Sequence, residues 1–156
     1  MDANICITGL GIICSIGNDV PSVLDALKHQ RLGIRPLEYL ESKHKELPVG
    51  EVQLSNGQMI QMLGIGGDAP MSRTSLMGAI AIKEALRPAG VQNVGGKRVT
   101  LISGTTVGGM DLTEKYFESM KSDDSLLYLP QSNDCGKSTV EMAELAGLEG
   151  VETCTI

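Results

Sequence analysis

The chain has 156 residues, a length typical of about one domain. Its formal net charge is −6, and hydrophobic residues make up 42% of it, which is the balance of a soluble globular protein. There is no apolar stretch of membrane-spanning length, no long basic run, and only four aromatic residues that could stack on bases. We therefore expect neither a membrane-bound protein nor a nucleic-acid-binding one.

The cysteines and histidines also limit the function classes. The N-terminus begins acidic and has no basic region before its apolar run, so it is not typical of a secretory signal. The four cysteines show no paired spacing, and reduced thiols in a cytoplasmic protein are expected. The two histidines and the dispersed cysteines share no ligand spacing, so the sequence predicts no metal site, and we expect no cofactor.

In chain order, the first predicted element is a strand over residues 3–14, whose continuous apolar run is typical of a strand buried on both faces. A turn at Ser15–Asp19 leads into an amphipathic helix with Pro21 in its first turn. The apolar face predicted for this helix consists of Val20, Val23, Leu24 and Leu27.

The next part of the chain is less regular. Glu38–Glu46 is charged and predicted to be exposed, and Val49–Leu54 is predicted as a short strand followed by a turn at residues 55–57. Residues 63–70 are rich in glycine and indicate a loop. Ser72 is the predicted cap of a helix that runs to about Arg87, and this helix is apolar on nearly all sides, which is typical of a central position.

The remaining elements alternate between strands and helices. They are a strand at Arg98–Ser103, a tight loop at Gly104–Gly109, a helix at about 111–121, a polar connection at 122–135, a helix at about 137–146 and a final strand at 151–156. Strands that alternate with helices predict an α/β fold with a largely parallel sheet.

Two glycine motifs suggest phosphate binding, but each has a structural alternative. Gly9–Cys14 nearly matches GxGxxG, although its third glycine is replaced by a cysteine; its glycines could instead let a strand pass close to a helix. Asp134–Thr139 resembles the end of a P-loop, although Gln131 stands where that motif needs glycine. There, Asn133 or Asp134 would cap a helix, and Lys137 and Glu141 would pair on its outer face.

Reactive thiols have weak support from the sequence. Cys135 lies near a predicted helix start, which can activate a thiolate, but Cys154 lies within a predicted strand, where a thiol acts as a small hydrophobic group. His29 and His44 lie in polar surface contexts and provide no evident base.

Three segments together resemble the amino-terminal part of the β-ketoacyl-acyl-carrier-protein synthases, the condensing enzymes of the thiolase fold. They are ICITGLGIICSIGN (5–18), SRTSLMGAIAIKEALRPAG (72–90) and RVTLISGTTVGG (98–109), which occur in the family's order and spacing. The resemblance implies a three-layer α-β-α fold with a mostly parallel sheet. It also implies that residues 1–156 form an incomplete first half-domain, with the carboxy-terminal half absent.

The chain departs from the family pattern at several places. The family's asparagine-x-x-alanine-glycine segment is here Asn133–Gly136, and the helix that follows is longer than usual. In the family the final strand leads into a motif that carries the nucleophilic cysteine. We therefore expect that the nucleophile lies beyond Ile156, that no catalytic residue can be placed on this chain, and that the chain alone is inactive.

Some binding roles follow from the resemblance. Thr106 and Val107 match the loop that lines the end of the family's acyl tunnel, and the alternative is that Val107 only packs the turn between strand and helix. The final strand, through Val151, Thr153 and Thr155, matches the strand that pairs across the family's dimer axis.

In the family, an acyl group passes from a carrier-protein thioester to the cysteine and is then condensed with malonyl-carrier protein after loss of carbon dioxide. The implied partners are acyl carrier protein carrying acyl and malonyl thioesters, a second copy or a partner synthase subunit, and the remainder of the polypeptide. Two alternatives stay open: a non-catalytic synthase-like partner of the chain-length-factor type, and a small nucleotide-binding α/β module.

Overall fold

The structure is a computed structural model that describes residues 5–66, 70–88, 90, 98–148 and 150–156. The helices are α1 (Val20–Lys28), α2 (Asn56–Leu63), α3 (Arg73–Leu86), α4 (Met110–Met120) and α5 (Cys135–Leu145). The strands are β1 (Arg35–Pro36), β2 (Pro48–Val49), β3 (Thr100–Ser103) and β4 (Glu152–Thr155). Two 3₁₀ turns, at Asp124–Leu126 and Leu129–Asn133, lie between α4 and α5.

Side-chain caps explain where most helices begin. The Asp19 carboxylate accepts from the Ser22 backbone N–H at α1, and Ser55 and Gln58 form the equivalent reciprocal cap at α2. Ser72 caps α3 as predicted. Each cap satisfies a backbone N–H that has no partner within the helix, which is worth about 1 kcal/mol.

The core lies between three helices. Leu76, Ala79 and Ile80 of α3 are buried, and they pack with Met59 of α2 and Ala143 of α5. The central position predicted for the helix after Ser72 is therefore confirmed. Gly78 allows α5 to approach, since a Cβ there would overlap the Met142 side chain.

The described strands form two small sheets. β3 and β4 pair in parallel, with Leu101 opposite Thr153, and helix α5 packs against this pair. β1 and β2 pair antiparallel through Arg35 and Val49. The parallel pair connected through helices agrees with the predicted α/β class.

The strand predicted over residues 3–14 is wrong for its described part. Residues 5–13 form no strand ladder with any part of the chain that the structure describes, and they are followed by an isolated bridge between Cys14 and Gly17. Ile5 is 98% exposed and Ile7 is 85% exposed, whereas the continuous apolar run predicts a strand that is buried on both faces. An apolar run favours a strand only where neighbouring strands supply hydrogen bonds, and none of the described residues does so here.

Glycines hold this same segment against α3. A Cβ at Gly9 would overlap the carbonyl oxygen of Ala85, and a Cβ at Gly11 would overlap that of Ala81. Glu84 completes the attachment, because its carboxylate accepts from the backbone N–H of Ile12 at 2.9 Å and from that of Val20 at 2.8 Å. The structural interpretation of these glycines, close passage beside a helix, is confirmed.

Two elements predicted between α1 and α3 differ from the structure. The turn predicted at residues 55–57 is the capped start of helix α2. The strand predicted at Val49–Leu54 is wrong except at Val49, which is the last residue of β2. Helix α1 also buries Val23 and Ala26 while Leu24 and Leu27 of its predicted apolar face are exposed. The amphipathic pattern of α1 is clear, but packing against neighbouring elements decides which side of a short helix is buried.

Candidate functional site

The loop between β3 and α4, residues 104–109, carries the sequence-predicted binding residues. A Cβ at Gly108 would lie 2.5 Å from the carbonyl oxygen of Ser132, and a Cβ at Gly109 would lie 2.6 Å from the Cβ of Ser72. The Gly109 N–H donates to the Ser132 carbonyl, and the Ser132 hydroxyl donates to the Gly109 carbonyl at 2.9 Å. Only glycine fits these positions, so the loop is held firmly on the second 3₁₀ turn.

The two predicted residues, Thr106 and Val107, occupy different environments. Val107 is 47% exposed and lines a depression of about 530 Å³, beside Met77 and Met110. The Thr105 hydroxyl donates to the Val107 carbonyl at 2.8 Å, which fixes the backbone there. Thr106 is exposed and lies outside that lining, so the geometry brings Val107 alone of the two to the wall.

A network of hydrogen bonds centred on Arg73 forms part of the wall of this depression. The Arg73 guanidinium donates to the carbonyls of Leu54 and Val52 at 2.9 and 2.8 Å and to the Asn56 side chain at 3.0 Å. The Arg73 backbone N–H donates to Asp111 of α4 at 2.9 Å. These bonds tie the segment after β2 to the starts of α3 and α4.

Glu51, which also lines this depression, forms a second set of hydrogen bonds. It is only 4% exposed and accepts from the backbone N–H groups of Glu38, Tyr39 and Leu40, with distances between 2.6 and 3.2 Å. Burial alone would raise the pKa of Glu51, but these three donors and Arg73 more than offset that effect and lower it. Sequence reasoning missed both Glu51 and the Arg73 contacts, because they join positions far apart in the chain.

The end of the final strand offers an unpaired edge. The N–H of Glu152 donates to the carbonyl of Val99, just before β3, and that of Ile156 donates to the carbonyl of Ser103. By the alternation of a parallel ladder, the N–H groups of Thr153 and Thr155 therefore face the other way. No described strand pairs with that edge. The Val151 and Thr155 side chains pack inward, with the Thr155 hydroxyl 2.8 Å from that of Thr139, and Thr153 is exposed.

The second glycine motif is a capped helix start. The Asp134 carboxylate accepts from the backbone N–H of Gly136 at 2.7 Å and from that of Lys137 at 3.4 Å, so a negative group already occupies the N-terminus of α5. The Lys137 ammonium contacts Gln131 and the Glu141 carboxylate accepts from Ser75, so the predicted Lys137–Glu141 pair on the outer face is wrong. This arrangement does not support a phosphate site.

The thiols and histidines show no reactive arrangement. All four cysteines are free, and Cys135 and Cys14 are half-buried while Cys6 and Cys154 are exposed. His29 and His44 are exposed and pair with Asp25 and Glu46. Among the residues that the structure describes, no three His, Cys, Asp or Glu side chains are grouped to hold a metal ion. No helix within the described ranges has the length and apolar character needed to span a bilayer.

Residues 2–151 match the family described as "Beta-ketoacyl synthase, N-terminal domain". Nodulation protein E of Rhizobium meliloti (strain 1021) is 32% identical over 126 residues, which are 79% of this chain and 31% of that protein. Nodulation protein E of Rhizobium sp. (strain N33) is 30% identical over 100 residues, which are 58% of this chain and 22% of that protein. The chain thus spans less than a third of the length of these curated relatives.

A solved structure shares the fold. The structure described as "The ishigamide ketosynthase/chain length factor" superposes with a TM-score of 0.73 at 24% sequence identity, and the match covers 96% of this chain and 38% of that chain. A superposition of this quality confirms the expected thiolase-like architecture of an incomplete α/β fragment.

Proposed function

Since the chain belongs to the β-ketoacyl synthase family, where it corresponds to the N-terminal domain, we propose that it is the amino-terminal part of a 3-oxoacyl-[acyl-carrier-protein] synthase. Such an enzyme condenses an acyl thioester with malonyl-carrier protein in fatty-acid or polyketide-type synthesis. The observation that carries the proposal is the family match over residues 2–151, together with the position of Val107 at the wall of an open depression.

The reaction proposed for the complete enzyme has two bond-forming steps. A cysteine thiolate attacks the acyl thioester and releases the carrier thiol, which conserves the thioester on the enzyme. Malonyl-carrier protein then loses carbon dioxide, and the resulting carbanion forms a carbon–carbon bond with the acyl carbonyl and releases the cysteine thiolate. No residue of this chain matches the nucleophile, so we propose that the remainder of the synthase supplies it and that residues 1–156 alone are inactive.

The contribution we assign to this chain is the wall of the acyl site. Val107 is held by the fixed Gly108-Gly109 turn, and Met77 and Met110 beside it provide apolar, adaptable surface for an alkyl chain. We retain Thr106 in the same loop as a second binding residue, although its side chain lies outside the lining of this depression.

The partners follow from this function. The synthase would receive acyl and malonyl groups on acyl carrier protein in the cytoplasm. It would assemble as a homodimer or with a partner synthase subunit. The free β4 edge at Val151, Thr153 and Thr155 supports the second point, because an unpaired edge offers backbone groups to another strand.

The test uses the complete synthase. Val107→Phe adds bulk at the wall, and we expect the preferred acyl chain to shorten while Val107→Ala lengthens it; the products are measured by mass spectrometry. Leu32→Phe, at an 80% exposed position outside the lining of the depression, is the control and leaves the product distribution unchanged. An unaltered product length in both Val107 variants would contradict the assignment of the acyl site.

A second candidate is a non-catalytic partner subunit, because the structural relative is described as a ketosynthase/chain length factor. Covalent acylation of the protein distinguishes a condensing enzyme from a non-catalytic partner subunit. A condensing enzyme becomes labelled when the complete protein is incubated with a radioactive acyl-carrier thioester, and a non-catalytic partner does not.

A further inference from the structure

A second cavity lies between α5 and the second 3₁₀ turn, and it shares no lining residue with the Val107 depression. Its volume is about 470 Å³, within the range of small-molecule sites. Leu112 and Leu129 are buried in its apolar wall, and Tyr128 and Val140 are exposed near its opening. Such a cavity can take a short alkyl chain.

The polar wall of this cavity is acidic. Glu141 and Glu144 lie one helical turn apart on α5 and both line it. Lys137 also lines it; its ammonium donates to the neutral Gln131 side chain, and among the described residues it forms no ion pair with either carboxylate. The cavity therefore holds two carboxylates without an equal compensating charge from its own lysine.

The Glu141 carboxylate is held in place by hydrogen bonds that lead back to α3. The Ser75 hydroxyl donates to the Glu141 carboxylate at 2.5 Å, and the Ser72 hydroxyl donates to Ser75 at 2.8 Å. Burial, followed by the nearby carboxylates of Asp111 and Glu144, raises the pKa of Glu141, and the Ser75 bond only partly opposes this. A cation placed beside this carboxylate would relieve both its desolvation and the repulsion.

We propose that this cavity binds an ammonium group on a short alkyl chain, with the ammonium against Glu141 and the chain along Leu112 and Leu129. The same chemistry is offered by a free aliphatic amine and by a lysine side chain of a partner protein. This site is separate from the proposed acyl site and does not depend on the proposed function.

The test is calorimetric titration of the complete protein that carries this chain. We expect hexylammonium to bind at least ten-fold more tightly than hexanol or hexanoate, which have similar length but no positive charge. Equal binding of hexanoate or hexanol would overturn the proposal. Nα-acetyl-lysine methylamide, which keeps its side-chain ammonium, distinguishes the two sources. Binding comparable to that of hexylammonium assigns the site to a protein lysine, and binding of hexylammonium alone assigns it to a free amine.

Variants locate the binding site. Glu141→Gln keeps an acceptor for Ser75 but removes the charge, and we expect at least a ten-fold loss of hexylammonium affinity. Val140→Trp narrows the opening and should also weaken binding, whereas Glu118→Gln, on the exposed surface of α4, serves as the control and should have no effect. Full affinity in both Glu141→Gln and Val140→Trp would overturn the assignment.

Discussion

The two faces of helix α3 differ in how completely they are covered. On one side α2 and α5 pack against it and bury Leu76, Ala79 and Met59. On the other side residues 5–13 cross the helix through Gly9 and Gly11, yet Ile5 and Ile7 project outward. Both regions are rich in apolar residues, so the contrast shows that apolar composition becomes burial only where a neighbouring element closes over it.

The largest expected effect tests the covered side. Leu76 is fully buried, and we expect Leu76→Ala to lower the free energy of unfolding by about 2–5 kcal/mol, because it removes apolar contacts and leaves a cavity. Leu32, which is 80% exposed, gives the matched change. Leu32→Ala should stay within about 0.5 kcal/mol in urea denaturation. Similar losses in the two variants would contradict the contrast between the two regions.

A smaller effect is expected where the two regions meet. Gly11→Ala places a methyl group into the Ala81 carbonyl, and the crossing segment must shift away from α3. We expect a loss of about 1–3 kcal/mol, typical of overpacking. Gly104→Ala is the control, since nothing lies within 4 Å of a Cβ there. Hydrogen exchange at Ile12 and Val20 should rise in Gly11→Ala and remain unchanged in the control.

Two buried carboxylates predict opposite pH effects on stability. The pKa of Glu51 is lowered, so its contribution is present above the ordinary glutamate pKa and is lost as pH falls through the lowered value. The pKa of Glu141 is raised, so its contribution is present below the ordinary pKa and is lost as pH rises through the raised value.

Urea midpoints measured from acid to neutral pH test these directions. Glu51→Gln should flatten the loss of stability on the acid side, and Glu141→Gln should flatten the loss that appears as pH rises toward neutrality. The exposed Glu118→Gln controls for a general effect of removing a carboxylate. If Glu141→Gln reproduced the pH profile of the unchanged protein, the burial assigned to Glu141 would be wrong.

The smallest effect on folding is expected at the free strand edge. Thr153→Lys places a charge beside backbone groups that no described strand uses, so we expect the free energy of unfolding to change by no more than about 0.5 kcal/mol. Association should nevertheless weaken in the complete synthase, as measured by sedimentation. A dimer of unchanged affinity would contradict the interface proposed for Val151, Thr153 and Thr155.

Local signals predicted much of the fold because they act within a few residues. Ser72 before an apolar run gave the start of α3, and the alternation of strands and helices gave the α/β class. Helix α2 was missed, because its cap, Ser55, is followed by Asn56-Gly57, a pair typical of turns, and the helix has only eight residues. At the site, the family resemblance led to Val107. The roles of Glu51 and Glu141 could not be found, because their hydrogen-bond partners are distant in sequence.

The sequence by itself determined the family, the caps of α3 and α5 and the position of the Gly108-Gly109 turn, because each depends on residue types at fixed short spacing. Only the tertiary structure decided that residues 5–13 pair with no described strand, that Glu141 turns inward to Ser75, and that Val107 reaches a depression while Thr106 does not. These outcomes depend on which distant surfaces meet, since burial and long-range hydrogen bonds are properties of packed neighbours and not of the local chain.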